Sequence, residues 1–163
     1  MKVRYYSFDS SIGKLRLYFN EEAIVDLSFF EEGDNYKYIK RYYGDTVEVC
    51  KDDYSYHEEV IKYLEGKLKE FTVAFAFKGT SFQEKVWNEL LNIPYGQIRT
   101  YKDIAESINC PKAYRAVGGA LNKNPIAIIV PCHRVVGSSG KLVGFAGGLG
   151  VKEKLLMLEK RNV

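Results

Sequence analysis

The sequence predicts an α+β protein, with a strand-rich half over residues 1–78 and a mostly helical half over residues 79–163. Three observations predict it. The first 30 residues hold short runs of Tyr, Val, Leu and Phe separated by turn residues. After residue 80 the apolar spacing changes to that of helices, with capping residues and proline or glycine stops. The charge also changes sign: 12 Lys and Arg against 15 Asp and Glu in residues 1–78, and 12 against 6 in residues 79–163. An acidic half joined to a basic one suggests that the second half meets a polyanion; an imbalance spread over solvated faces is the plainer reading.

With 163 residues, the chain makes one large or two small domains. Its 13 Tyr, 9 Phe and 1 Trp supply bulk for a core without disulfides. No apolar run approaches the ~20 residues of a membrane span, and MKVRYYSFDS lacks the apolar stretch of a signal peptide. Three cysteines, Cys50, Cys110 and Cys132, without CxxC spacing, argue against a disulfide framework and a zinc ribbon, and make the reducing cytosol the default compartment.

Strands are expected over Lys2–Phe8, Leu15–Phe19 and Ala23–Phe30, and a polar loop over residues 31–35. Val60, Ile61, Tyr63, Leu64 and Leu68 predict an amphipathic helix over Tyr56–Glu70, with His57 as a surface residue of it. Phe71–Phe77 reads as a strand or an extended linker. Ser81 with Glu84 forms a capping-box pattern for a helix running to about Leu91, stopped by Pro94 and Gly96. Thr100 caps a short helix over Tyr101–Ile108. Pro111 suits a first helical position, and a second helix is expected from Lys112 to about Asn122. Two short helices joined by a tight turn in a basic segment outline a helix-turn-helix.

The second of these helices is rich in small residues: Ala113, Ala116, Gly118, Gly119 and Ala120. Glycine inside a helix costs roughly 1 kcal/mol relative to alanine, so adjacent glycines signal close backbone approach, either to a nucleic-acid groove or to a neighbouring helix. Next comes the apolar run Ile126–Val130, expected to be buried, which ends at Pro131-Cys132-His133-Arg134. A buried thiol is inert unless a base or a positive field favours the thiolate. His133 and Arg134 can supply these, although adjacent residues of an extended strand face opposite ways. A water relay would bridge that gap. Spacing alone leaves a reactive and a merely packed Cys132 equally open.

Pro131-Cys132-His133-Arg134-Val135 resembles the signature of the O-6-alkylguanine-DNA alkyltransferases, the methylated-DNA–protein-cysteine methyltransferases. The resemblance extends over about residues 80–160. It includes Tyr114–Ala120, Asn124-Pro125, Gly144–Leu149, and Lys152-Glu153 leading to Leu155-Leu156 and Glu159. It implies a ribonuclease-H-like domain over residues 1–78 and a DNA-binding domain over residues 79–163. Cys132 then corresponds to the alkyl acceptor. His133 and Glu159 correspond to a relay in which Glu orients His and His acts through water on the thiol. Asn124 matches a hinge residue, and Tyr101 a proton donor to the departing guanine.

Arg115 matches the arginine that enters the duplex in place of the rotated base. Tyr114, Ala116, Gly118, Gly119, Lys112 and Lys123 fall on the DNA-contacting segment. Pro131, Val143, Phe145 and Ala146 fall on the base pocket. Some members carry Tyr and Ser where this chain has Phe145 and Ala146, which leaves any contact to the damaged oxygen to backbone N–H groups. We expect the pKa of Cys132 to be lowered through His133. The implied protein is a cytoplasmic monomer, nuclear in a eukaryote, that acts once on duplex DNA carrying alkylated guanine. It needs no cofactor, and no tight structural zinc is expected. Three alternatives remain: a helix-turn-helix regulator that binds without reacting, a non-reactive damage-recognition protein, and a cysteine hydrolase.

Overall fold

The computed structural model describes residues 2–30, 35–145 and 147–163. The chain forms two compact units. One holds residues 1–78 together with Pro125–Ile129, and the other holds Gly79–Asn124 and Val130–Val163.

In the first unit, β1 (Val3–Phe8), β2 (Leu15–Phe19), β3 (Ile24–Phe29) and β4 (Thr46–Glu48) form one sheet in the order β3-β2-β1-β4. β1 pairs antiparallel with β2 and parallel with β4, and β2 pairs antiparallel with β3. An exposed strand edge would leave its N–H and C=O groups unpaired. Two extended segments take up groups on β3. Ile24 exchanges hydrogen bonds with Ala74 and Ala76, and Leu27 with Pro125 and Ala127. Phe71–Phe77 is therefore extended with a single bridge, at Phe75. The apolar run Ile126–Val130 is buried as expected.

Helix α1 (Tyr36–Tyr42) was not expected, because Ile39 is its one buried residue and a single anchor makes no periodic pattern. Ile39 packs with Val3, Tyr18 and Val25. Helix α2 spans Glu58–Leu64, shorter than the pattern suggested, because Gly66 at φ 77° turns the chain and Lys67 N–H donates back to the Lys62 carbonyl. His57 is not a surface residue of that helix. It stands at the N-cap of α2, with Nδ1 2.9 Å from the Tyr6 hydroxyl.

The second unit is mostly helical: α3 (Ser81–Leu90), α4 (Tyr101–Ser107), α5 (Tyr114–Asn122) and α6 (Leu149–Arg161). A short parallel pair, β5 (Arg99–Thr100) and β6 (Val135–Val136), links its two chain segments. The capping box of α3 is one residue earlier than expected. Thr80 accepts from Gln83 N–H at 3.1 Å, and the Gln83 side chain accepts from Thr80 N–H at 2.9 Å. Both Thr80–Gln83 and Ser81–Glu84 have capping chemistry; the earlier start adds the Glu84 N–H to Thr80 carbonyl bond. Thr100 caps α4 as expected, boxed with Asp103.

Past the Ile108 C-cap of α4, Asn109 turns the chain at a left-handed φ of 61°, with Cys110 N–H reaching back to the Ala105 carbonyl. Ala113 N–H then donates to the Cys110 carbonyl, closing a turn with Pro111 and Lys112 at its centre. Pro111 thus pre-sets a β-turn and does not open the helix, and α5 starts at Tyr114. Trp87 of α3 is 1% exposed and donates from Nε1 to the Ala120 carbonyl at 2.8 Å, pinning α3 to α5. A Cβ on Gly79 would sit 2.7 Å from that ring and 2.8 Å from Gln83 Oε1. Gly79→Ala is therefore expected to destabilise the protein by about 1–3 kcal/mol, seen as a lower urea midpoint. An unchanged midpoint would show that Trp87 can step aside.

Candidate active site

The chain enters the site through two tight turns. Ile128 lies at φ 72°, unusual for a β-branched residue, with Ile129 N–H bonded to the Ala127 carbonyl. Cys132 N–H then bonds to the Val130 carbonyl across Pro131. Cys132–Arg134 forms a single 3-10 turn, not the extended strand considered from sequence. In a 3-10 turn successive side chains fan out by about a third of a circle. Cys132 and His133 therefore diverge without facing opposite ways.

Glu159, 1% exposed, reaches this turn from α6. Its Oε1 accepts from Arg134 Nε at 2.8 Å and Gly96 N–H at 3.0 Å. Its Oε2 accepts from Arg134 Nη2 at 2.9 Å and lies 2.7 Å from His133 Nε2. Arg134 also donates from Nη1 to the Ile93 carbonyl at 2.7 Å. With a guanidinium and a backbone amide on its oxygens, Glu159 is a carboxylate, so His133 Nε2 bears the proton. Burial is the main cause that moves the His133 pKa below its usual value, only partly opposed by Glu159. The imidazole is therefore neutral near pH 7, and its Nδ1 is the basic nitrogen.

Cys132 opens that turn and is itself buried. Burial pushes its thiol pKa up, which corrects the expectation of a lowered one. The main opposing influence is a hydrogen bond from the Asn124 side chain, followed by the charge of Lys152; the His133 side chain is not among the lowering causes. Asn124 Nδ2 also donates to the Val130 carbonyl at 2.9 Å, tying the end of α5 to the segment that leads into the thiol. Tyr101, first residue of α4, donates its hydroxyl to the Val143 carbonyl at 3.0 Å. Burial pushes its pKa up, and the charge on Cys132 adds to the rise. The structure thus gathers Cys132, His133, Glu159, Asn124 and Tyr101.

Pro131 is buried, Phe145 half-buried and Val143 41% exposed. Ala146 lies outside the described residues. Tyr114, Arg115, Ala116, Gly119, Lys112 and Lys123 are exposed, and Gly118 is half-buried. A Cβ on Gly119 would meet nothing within 4 Å, and one on Gly118 would meet the Tyr101 ring no closer than 3.8 Å. Among the described residues no neighbour demands these glycines. The expectation from sequence did not include Gly96 or Lys152. Lys152 was legible in principle, because it shares the buried stripe Lys152, Leu155, Glu159 of α6. Among the described residues no group of three or more His, Cys, Asp or Glu is placed to hold a metal.

Residues 81–161 match the family model described as "6-O-methylguanine DNA methyltransferase, DNA binding domain". The methylated-DNA–protein-cysteine methyltransferase of Methanosarcina barkeri is 46% identical over 160 residues, covering 98% of this chain and 99% of that one. The chain belongs to the methylated-DNA–protein-cysteine methyltransferase family. A family member from Mycobacterium tuberculosis is 42% identical over 161 residues, with 97% and 93% coverage. The crystal structure of the M. tuberculosis O6-methylguanine methyltransferase superposes with a TM-score of 0.84 at 42% identity, covering 99% of this chain and 94% of that one. The O6-methylguanine-DNA methyltransferase of Pyrococcus kodakaraensis gives 0.66 at 29% identity, with 96% and 98% coverage.

In this methyltransferase both histidines resist protonation. His57 and His133 each have a pKa lowered from 6.5, chiefly by burial. Above that value both states are neutral and no stability is lost. As pH falls through it, the unfolded chain takes up protons that the folded chain resists, so stability declines. Urea midpoints are therefore expected to fall between pH 7 and pH 5. A flat profile there would contradict the neutral assignment of His133.

Proposed function

We propose that this chain is a direct-reversal DNA repair protein that moves a methyl or larger alkyl group from O-6 of guanine in DNA to Cys132. O-4-alkylthymine is a further candidate substrate. The observation that carries the reading is the saturated Glu159 carboxylate, which fixes His133 as a neutral base beside a buried thiol in a chain of this family.

The damaged base sits inside the stack, so it is rotated out to reach a buried thiol. Arg115, exposed on α5 with no ion pair among the described residues, fills the vacated space. Tyr114, Ala116, Gly118 and Gly119 approach the duplex, and Lys112 and Lys123 meet phosphates. Phosphate contacts make the affinity fall with salt. Pro131, Val143, Phe145 and Ala146 flank the flipped base.

His133 takes the thiol proton through a water molecule, and Glu159 stabilises the imidazolium that results. Asn124 steadies the thiolate. Sulfur attacks the alkyl carbon, the S–C bond forms as the C–O bond breaks, and the electron pair goes to O-6. The guanine leaves neutral by taking a proton from Tyr101. Burial holds the Tyr101 pKa up, and the thiolate charge that His133 generates on Cys132 adds to the rise. Attack consumes that charge, so Tyr101 becomes more acidic as the base needs a proton. The product is a thioether that water does not cleave, so each molecule acts once and needs no cofactor. Such a protein acts as a monomer in the compartment that holds the chromosome: the cytoplasm, or the nucleus of a eukaryote.

The test is a titration. Increasing protein is added to a duplex carrying one O-6-methylguanine, and the DNA is digested to nucleosides and counted. Repair should stop at one guanine restored per protein molecule. Tight binding with no restored guanine would leave a recognition protein. Arg115→Ala is expected to lower the rate of transfer from duplex DNA at least about tenfold while single-stranded substrate is spared. Equal loss on both substrates would remove Arg115 from the extrusion step.

A further inference from the structure

Lys152 is 1% exposed, and among the described residues it makes no ion pair. Its ammonium is met by carbonyl oxygens instead: Val135 at 2.6 Å, Val143 at 3.1 Å and Gly144 at 3.5 Å. Val135 follows the Cys132–Arg134 turn, while Val143 and Gly144 belong to the loop that leads to Phe145. An ammonium has three protons and no lone pair, so it suits a cluster of acceptors. One of those acceptors is shared. The Val143 carbonyl also accepts from the Tyr101 hydroxyl, at 3.0 Å.

We infer that Lys152 is a positioning residue that keeps the Val143 carbonyl satisfied while Tyr101 lets go of it to serve the departing base. The inference rests on the reading of Tyr101 as the proton donor. In the resting site the hydroxyl proton is committed to Val143. To donate to guanine, Tyr101 must surrender that bond. A flipped base in the site excludes the water that would otherwise replace the hydroxyl. A carbonyl left bare under those conditions is costly, whereas one that keeps a charged donor is not. A carbonyl oxygen has two acceptor positions, so both donors are held at rest and one remains after release. The same ammonium ties the loop to the strand behind the thiol, which fixes the place from which Tyr101 departs.

The experiment is a double-substitution cycle on the full chain, with Lys152→Met, Tyr101→Phe and the pair. The rate constant for transfer is read at saturating O-6-methylguanine duplex, and duplex affinity is read separately. Tyr101→Phe alone should slow transfer. Lys152→Met should slow it in both backgrounds, because its charge favours the Cys132 thiolate, but by at least about fivefold more when Tyr101 is present than in the Tyr101→Phe background. Duplex affinity should stay within about twofold, because Lys152 is not exposed. The same slowing in both backgrounds, or no slowing in either, overturns the inference while leaving Tyr101 as donor. No effect of Tyr101→Phe overturns the donor reading and the inference with it. Where Lys152→Met does not fold, Lys152→Gln, which keeps an amide donor of shorter reach, is tested by the same criterion.

Discussion

Glu159→Gln is expected to remove about 3–5 kcal/mol of stability, the usual cost of breaking a buried ion pair from one side. The carboxylate accepts from Arg134, Gly96 and His133 within 3.0 Å, and both Glu159 and Arg134 are buried. A neutral amide leaves the Arg134 guanidinium without its countercharge. It also turns a donating NH₂ toward groups that are themselves donors. The loss should appear in urea unfolding at pH 7. A variant within about 1 kcal/mol of the parent would show that water, not Glu159, meets Arg134.

Cys132→Ser should abolish alkyl transfer and leave duplex binding intact. A serine hydroxyl is a far weaker acid than a thiol and its oxygen a poorer nucleophile toward a saturated carbon, so general-base help from a neutral imidazole does not suffice for alkyl transfer. The α5 residues proposed to face DNA are exposed, whereas the thiol turn is buried, so affinity for a duplex carrying O-6-methylguanine should change by less than about threefold. Residual transfer by the serine variant would place the acceptor elsewhere. Loss of binding would mean that Cys132 supports the fold of the DNA-contacting face.

The fold class and most elements could be read from local signals. β2 and the start of α4 appear where the apolar run bounded by turn residues and the Thr100 cap placed them, because those signals are local to the residues that show them. Helix α1 and strand β4 were not legible. Each is short, and what holds it is long-range: Ile39 against the sheet, and β4 beside β1. The shift at Pro111 has the same lesson. Proline serves a first helical turn or a β-turn equally well, and only the Ala113–Cys110 bond decides.

The site divides in the same way. Cys132 and His133 stand out as neighbours, but nothing local joins them to Glu159, 26 residues beyond His133. Resemblance named that glutamate. The structure adds why it is a carboxylate, through Arg134 and Gly96. The direction of the Cys132 pKa was misjudged because adjacency suggested that His133 would lower it. Burial dominates, and the groups that oppose it come from distant positions, Asn124 and Lys152.

The central claim is that a labelled alkyl group ends on Cys132, once per molecule. The direct measurement is a single-turnover reaction with duplex DNA whose guanine O-6 carries an isotopically labelled methyl, followed by intact mass and peptide mapping. One labelled methyl is expected on the peptide holding Cys132, with guanine restored in the DNA and no further reaction when fresh duplex is added. Label on another residue, or continued turnover by protein whose Cys132 is already methylated, would contradict it.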